Sequence, residues 1–430
     1  AIAGDYAAFT AMCERYGIIV CPTLDDMVEM TLAFQSGRLP KGPRVGWVTT
    51  SGGTVDLLYD YLDEMGGTTT PDFDASTKAA IRHLVSPELA LKNPLDAGNP
   101  AGEAESAELC RAIAADPNVD MLAWGSTLPS GKRMRDPAIL RSIAESTDKP
   151  VIAFVRMNFP VEPEAIKFQE EVGFPYLQGL PETVRALAAL AFYGERRGRS
   201  IAPLKLPQGS AATLQEAALA AALAKRGLTP PKSGFAATPG DAAHVAAAIG
   251  FPVALKIVSG EVSHKTEAGG VRLNLKSPEE VERAGDALAA AMDRIPGGAK
   301  LDGFLVQEMV EGIEIIVGAR EDPMFGPMIM VGAGGILVEL VKDVALRLLP
   351  VGPRDVRHMI GELKVAKLLA GFRGSPPADL DALVQAVCGL SEFYLDHRHL
   401  LSDIEANPLF VLAKGKGVRA VDVRTAVTKG

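Results

Sequence analysis

Between residues 41 and 195 short apolar runs alternate with stretches of helical spacing. Arg44–Thr49, Val119–Trp124 and Val151–Val155 have strand length, and Tyr176–Leu177 reads as a last short strand. Thr54–Met65, Glu103–Ala115, Pro137–Thr147 and Pro181–Tyr193 lie between or after them with helical composition. Strand-length apolar runs separated by helices predict parallel strands buried on both faces, hence an α/β, doubly wound, flavodoxin-like domain. Ahead of it, Tyr6–Tyr16 is helical with Gly17 as its C-cap. Ile18–Val20 reads as a short buried strand, and Thr23 with Asp26 opens a second helix. One strand cannot build a sheet, so residues 1–38 read as the tail of a truncated domain.

After Gly37–Pro43, a Gly/Pro linker, and Glu195–Ser210, a second and basic one, the pattern changes. Leu214–Arg226 and Pro239–Ile249 read as helices. A short strand follows Pro230-Pro231, and Phe251, Val253, Leu255 and Ile257 share one face of another. Val271–Leu275, Leu301–Met309, Glu314–Arg320 and Met328–Val331 are further strands. Ser277 with Glu280 caps the helix to Met292. Leu400–Ala406 and Val418–Val423 form a hairpin across Lys414–Gly417. Mixed strands and helices without regular alternation predict an α+β domain over 203–430.

A length of 430 residues allows two or three such domains. A net charge of −9 and a pI near 5.4 exclude nucleic acid and anionic membrane as natural partners. Cys13, Cys21, Cys110 and Cys388 form no CxxC pair, which argues against a cysteine zinc site or a disulfide framework. The most apolar run, Met324–Val338, is interrupted by glycine and proline and reads as strand plus loop. With no leader pattern, a cytoplasmic location is the default expectation.

Four places hold residue types suited to chemistry. Lys256 sits on the polar face of an apolar strand, where an ammonium is costly unless it meets an anion, although a snorkelling lysine reads the same way. His264, within Ser263–Thr266 and followed by Gly269-Gly270, is a titratable group on a glycine-hinged segment or simply a solvated imidazole. Ser51, Gly52 and Gly53 join a strand to a helix N-terminus, which suits an anion or is a plain tight turn. The hairpin brings Asn407 near Asp422 with Glu405 on the same face, an oxygen set for Mg²⁺ or a water-facing acidic strand. Asn93–Asp96 is a turn or a contact surface.

Taken in order, Ser263-His264-Lys265-Thr266 with Gly269-Gly270-Val271, Gln307-Glu308-Met309-Val310 with Gly312-Ile313-Glu314, Gly334-Gly335 with Glu339, and Asp403–Leu409 resemble the nucleoside-diphosphate-forming acyl-CoA synthetases, the superfamily of succinyl-CoA synthetase. Thr50–Gly53 and Asn93–Asp96 match its CoA-ligase domain. The resemblance implies a CoA-ligase domain over 41–195 and a two-lobed ATP-grasp domain over 203–430. Lys256 and Gln307 would meet ATP, Glu308 and Val310 would offer backbone groups to adenine, and Glu314 would lie beside the nucleotide. Asn407 and Asp422 would hold Mg²⁺. His264 would be a phosphohistidine on a swinging loop, oriented by Glu405 at the nucleotide and cradled elsewhere by Ser51, Gly52 and Gly53.

The activity so implied converts acid, CoA and ATP to acyl-CoA, ADP and phosphate. The family's first phosphohistidine precedes an Ala-Gly-Asp-Tyr-like stretch, here Ala3–Tyr6. That histidine and the CoA-binding domain are therefore expected upstream, in a longer polypeptide or on a partner. A homodimer, or contact with that domain, is the expected assembly. Two other readings carry different expectations: an ATP-grasp carboxylate–amine ligase needs no phosphohistidine, and a regulatory nucleotide-binding module needs no turnover.

Overall fold

The computed structural model describes residues 6–98, 102–129, 135–259, 270–292, 300–335 and 343–428. The chain divides into two compact units, residues 13–201 and residues 202–430 together with the first twelve.

In the first unit, strands β1 (Val45–Thr49), β2 (Leu95–Asp96), β3 (Met121–Gly125), β4 (Val151–Val155) and β5 (Tyr176–Gln178) form one parallel sheet in the order β2-β1-β3-β4-β5. Every residue of β1 and β4 is buried, as the apolar runs predict for strands covered on both faces. Trp47, Met121, Ile152 and Leu177 pack on one face with Leu58 and Val184 of the helices Gly52–Met65 and Leu180–Arg196. Val48, Leu122 and Ala153 pack on the other with Leu109 and Ile113 of Glu103–Ala115 and Leu140 of Pro137–Glu145. The α/β doubly wound class is the one the pattern predicts.

Two local expectations meet different outcomes. Thr23 caps its helix, accepting from the Asp26 N–H at 3.0 Å. Ile18–Val20 form no strand; they link two helices and pair with no described strand, so β propensity there has no ladder to join. Asn93 is a clamp and not merely a turn residue. Its Oδ1 accepts from Trp47 N at 3.0 Å, while its Nδ2 donates to Val45 O at 2.7 Å and to Pro71 O at 2.9 Å.

The second unit holds two antiparallel sheets. Strands β6 (Ser233–Ala236), β7 (Val253–Val258), β8 (Val271–Leu275) and β9 (Gly303–Glu308) lie in the order β6-β9-β7-β8. Val253, Leu255, Ile257, Phe304 and Val306 bury one face against the helices Pro239–Ile249 and Pro278–Met292. Strands β10 (Ile313–Asp322), β11 (Gly326–Ala333), β12 (Val344–Leu348), β13 (Leu401–Val411), β14 (Val418–Ala420) and β15 (Val423–Val427) form the larger sheet, ordered β12-β11-β10-β13-β14 with β15 also on β13.

Its core includes the helix Leu380–His397, which is N-capped by Asp379 and buries Leu383, Val387, Leu390, Phe393 and Tyr394. Burying each such side chain contributes about 1.5–3 kcal/mol. Among the described residues no helix is long and apolar enough to cross a membrane.

Candidate functional site

The side chains of Ala254 and Lys256 point away from the helix-packed core of β7, because Val253, Leu255 and Ile257 fill it. Across the ladder Ala254 faces Gln307 and Lys256 faces Leu305, so lysine and glutamine share the open face. The Lys256 ammonium donates to Gln307 Oε1 at 2.7 Å, and Gln307 is buried. The amide that orients the ammonium is itself neutral.

At the end of β9 the chain is pinned from both sides. Glu308 N donates to Lys232 O at 2.9 Å, its Oε1 accepts from Lys232 N at 3.0 Å, and Met309 N donates to Pro252 O at 3.1 Å. Neither backbone group of Val310, in the connection to β10, is engaged by another described residue. A few residues on, Glu314 is exposed on β10 opposite Phe410. Gly334 N donates to Glu314 O at 2.8 Å, and a Cβ on Gly334 would lie 2.8 Å from both Glu314 C and Ile315 N. Gly335 has φ +63, and a Cβ there would run into the Glu314 carboxylate. Glycine is therefore required at 334 by a collision with backbone, a reason the loose glycine pattern could not reveal.

On β13, Ile404, Ala406 and Leu409 are buried, while Glu405 and Asn407 face away from that core. Asn407 N donates to Asp422 O at 2.9 Å, which brings the two residues together as the hairpin predicts. Asn407 Nδ2 donates to Glu405 Oε1 at 3.4 Å. Arg424 holds Asp422 Oδ2 through Nε at 3.2 Å and Nη2 at 3.1 Å, an exposed pair. The donors are all hard oxygens, an amide carbonyl and two carboxylates, which fits Mg²⁺. Among the described residues no three His, Cys, Asp or Glu gather as a metal cage. A cation here would thus draw most of its coordination from water and phosphate.

In the first unit, Ser51 is the N-cap of Gly52–Met65 and makes no side-chain cap bond. The helix begins at Gly52, two residues earlier than expected, so Gly52 and Gly53 are exposed in its first turn. Their N–H groups belong to the set a helix leaves without internal partners. Asp96 Oδ2 lies 3.4 Å from where a Gly52 Cβ would stand. The site is thus a small, glycine-floored cradle at the carboxyl end of β1. Ser263, His264, Lys265, Thr266, Gly269 and Glu339 lie outside the described residues.

The second unit is of the ATP-grasp class: residues 205–427 match the family model described as an ATP-grasp domain. An ADP-forming acetate–CoA ligase I of Archaeoglobus fulgidus is 29% identical to this chain over 98% of it and 62% of the relative. An ADP-forming 4-hydroxybutyrate–CoA ligase of Nitrosopumilus maritimus is 28% identical over 99% of this chain and 63% of its own length. The beta subunit of an ADP-forming acetate–CoA ligase II from Pyrococcus furiosus is 40% identical over 46% of this chain and 84% of that subunit. The chain belongs to the ADP-forming acyl-CoA synthetase family. It spans 62% and 63% of the lengths of the Archaeoglobus and Nitrosopumilus relatives.

Proposed function

We propose that this chain is the nucleotide-using part of an acid–CoA ligase, in which acid, CoA and ATP are converted to acyl-CoA, ADP and phosphate through a phosphohistidine relay. The observation that supports it most is the Lys256 ammonium, oriented by Gln307 on the open face of β7. Lys256 and Gln307 bind the phosphates, Glu308 and Val310 present backbone groups to the base, and Glu314 borders the nucleotide.

A neutral His264 nitrogen attacks the γ-phosphorus, the P–N bond forms as the bond to ADP breaks, and the phosphoryl group leaves the cleft on the imidazole. Glu405 orients that ring. Ser51, Gly52 and Gly53 receive the phosphorylated ring through helix N–H groups. Asn407 and Asp422 would hold Mg²⁺, which supplies charge neutralisation on the transferred group. The carboxylic acid and CoA are the co-substrates, residues 1–38, 41–195 and 203–430 are the three functional segments, and a second copy or a CoA-binding domain completes the assembly.

The metal assignment has a sign that can be tested. Asp422→Ala is expected to raise the Mg²⁺ concentration for half-maximal ATP binding about tenfold, whereas Arg424→Gln, which releases the same carboxylate, lowers it. Calorimetric titration with Mg²⁺ reads both, and an unchanged requirement in Asp422→Ala removes this residue from the site.

The relay is tested by isotope exchange. Labelled ADP should be converted to ATP by the protein with Mg²⁺ and ATP alone, because the phosphoenzyme forms without acid or CoA. A carboxylate–amine ligase, which proceeds through an acyl phosphate, exchanges only when its acid is present. Exchange that depends on added acid overturns the relay.

A further inference from the structure

We propose that Arg419 is a positioning residue for the nucleotide base, acting through Glu308; this rests on the nucleotide-site reading above. Arg419 is the central residue of β14, directly opposite Phe410 of β13 in the larger sheet. Glu308 ends β9 in the smaller sheet. Arg419 Nε lies 3.5 Å from Glu308 Oε1, and both side chains are mostly covered, at 28% and 23% exposure. The pair therefore joins the two sheets of the ATP-grasp unit beside the connection that carries Val310.

The same carboxylate oxygen is part of a closed circuit. Glu308 Oε1 accepts from Lys232 N, Glu308 N donates to Lys232 O, and Ala420 N, next to Arg419, donates to Thr229 O at 2.9 Å. Pro230 and Pro231 stiffen the segment between Thr229 and Lys232. Arg419 and this short strap thus reach Glu308 from one sheet by two routes. With the Met309 N–H held by Pro252 O, the Glu308–Met309 peptide has little freedom left. That peptide leads directly into the backbone groups assigned to the base. Losing the guanidinium leaves a mostly covered carboxylate whose other described partner is the Lys232 N–H, so the strand end shifts toward solvent.

A plain ion pair of this exposure contributes little to folding and nothing selective to a ligand. The experiment separates the two cases. ATP, ADP and inorganic tripolyphosphate, which carries phosphates but no base, are titrated into the full chain and into Arg419→Gln, Glu308→Gln, the double variant and Arg419→Lys. The expected result is a loss of ATP and ADP affinity of about tenfold in each single variant, with the double no worse than either. Tripolyphosphate binding and the melting temperature should stay unchanged, and Arg419→Lys should recover part of the loss.

Equal weakening of ATP and tripolyphosphate, additive losses, or unchanged ATP affinity would each overturn the proposal. Absence of ATP binding in the unsubstituted chain would instead overturn the nucleotide reading on which it rests.

Discussion

Lys256→Met is expected to slow ADP–ATP exchange by about 100-fold, a loss of ~2.7 kcal/mol of transition-state stabilisation. The reason lies in the geometry of β7 and β9. The ammonium is held on the open face by an amide at 2.7 Å that is buried and neutral. On the proposed reading, a triphosphate arriving there would gain charge-assisted hydrogen bonds that methionine cannot replace. Methionine has similar length and lies beside Ala254 and across from Leu305, so the fold should tolerate it and the melting temperature should change little. Lys256→Arg keeps the charge with a different donor geometry and is expected to retain more exchange than methionine. Exchange in Lys256→Met within about threefold of the unsubstituted rate, less than 1 kcal/mol by the same conversion, would detach this lysine from the reaction.

What the sequence reveals, and what it hides, follows from the range of each interaction. The parallel sheet is legible because its strands are buried on both faces, so β4 reads as an unbroken apolar run with the bounds Val151–Val155. The helix Glu103–Ala115 is likewise found with its expected bounds. Thr23 with Asp26 is a local contact three residues apart and is equally visible. Ile18–Val20 misleads because strand propensity is a statement about neighbours, and these residues pair with no described strand. The Leu380–His397 helix has a usable signal in the sequence, Asp379 ahead of a 3.6-period apolar pattern, that the strand and motif pattern above does not draw on.

In the site, Lys256 and the Asn407–Asp422 pairing are readable because strand alternation and a short hairpin fix them. Two other contacts are not. Gly334 against the Glu314 backbone and Arg419 on Glu308 depend on cross-strand register or on sheet-to-sheet approach. Neither is encoded at short range. The Asn93 clamp belongs to the same class: its partners at Val45 and Trp47 are more than forty residues away, at 48 and 46 positions in sequence.

The relay depends on an imidazole at position 264 being a covalent carrier, and His264→Asn is the largest effect expected in the molecule. Asparagine keeps a polar side chain of comparable reach but has no nucleophilic ring nitrogen, so binding of Mg·ATP should persist while phosphoryl transfer to the protein stops. The direct measurement is acid-labile, alkali-stable label on the protein after incubation with [γ-³²P]ATP and Mg²⁺. The unsubstituted chain should carry label that added ADP removes, and His264→Asn should carry none while still binding ATP. Label of the same amount and the same acid lability in His264→Asn would contradict the account.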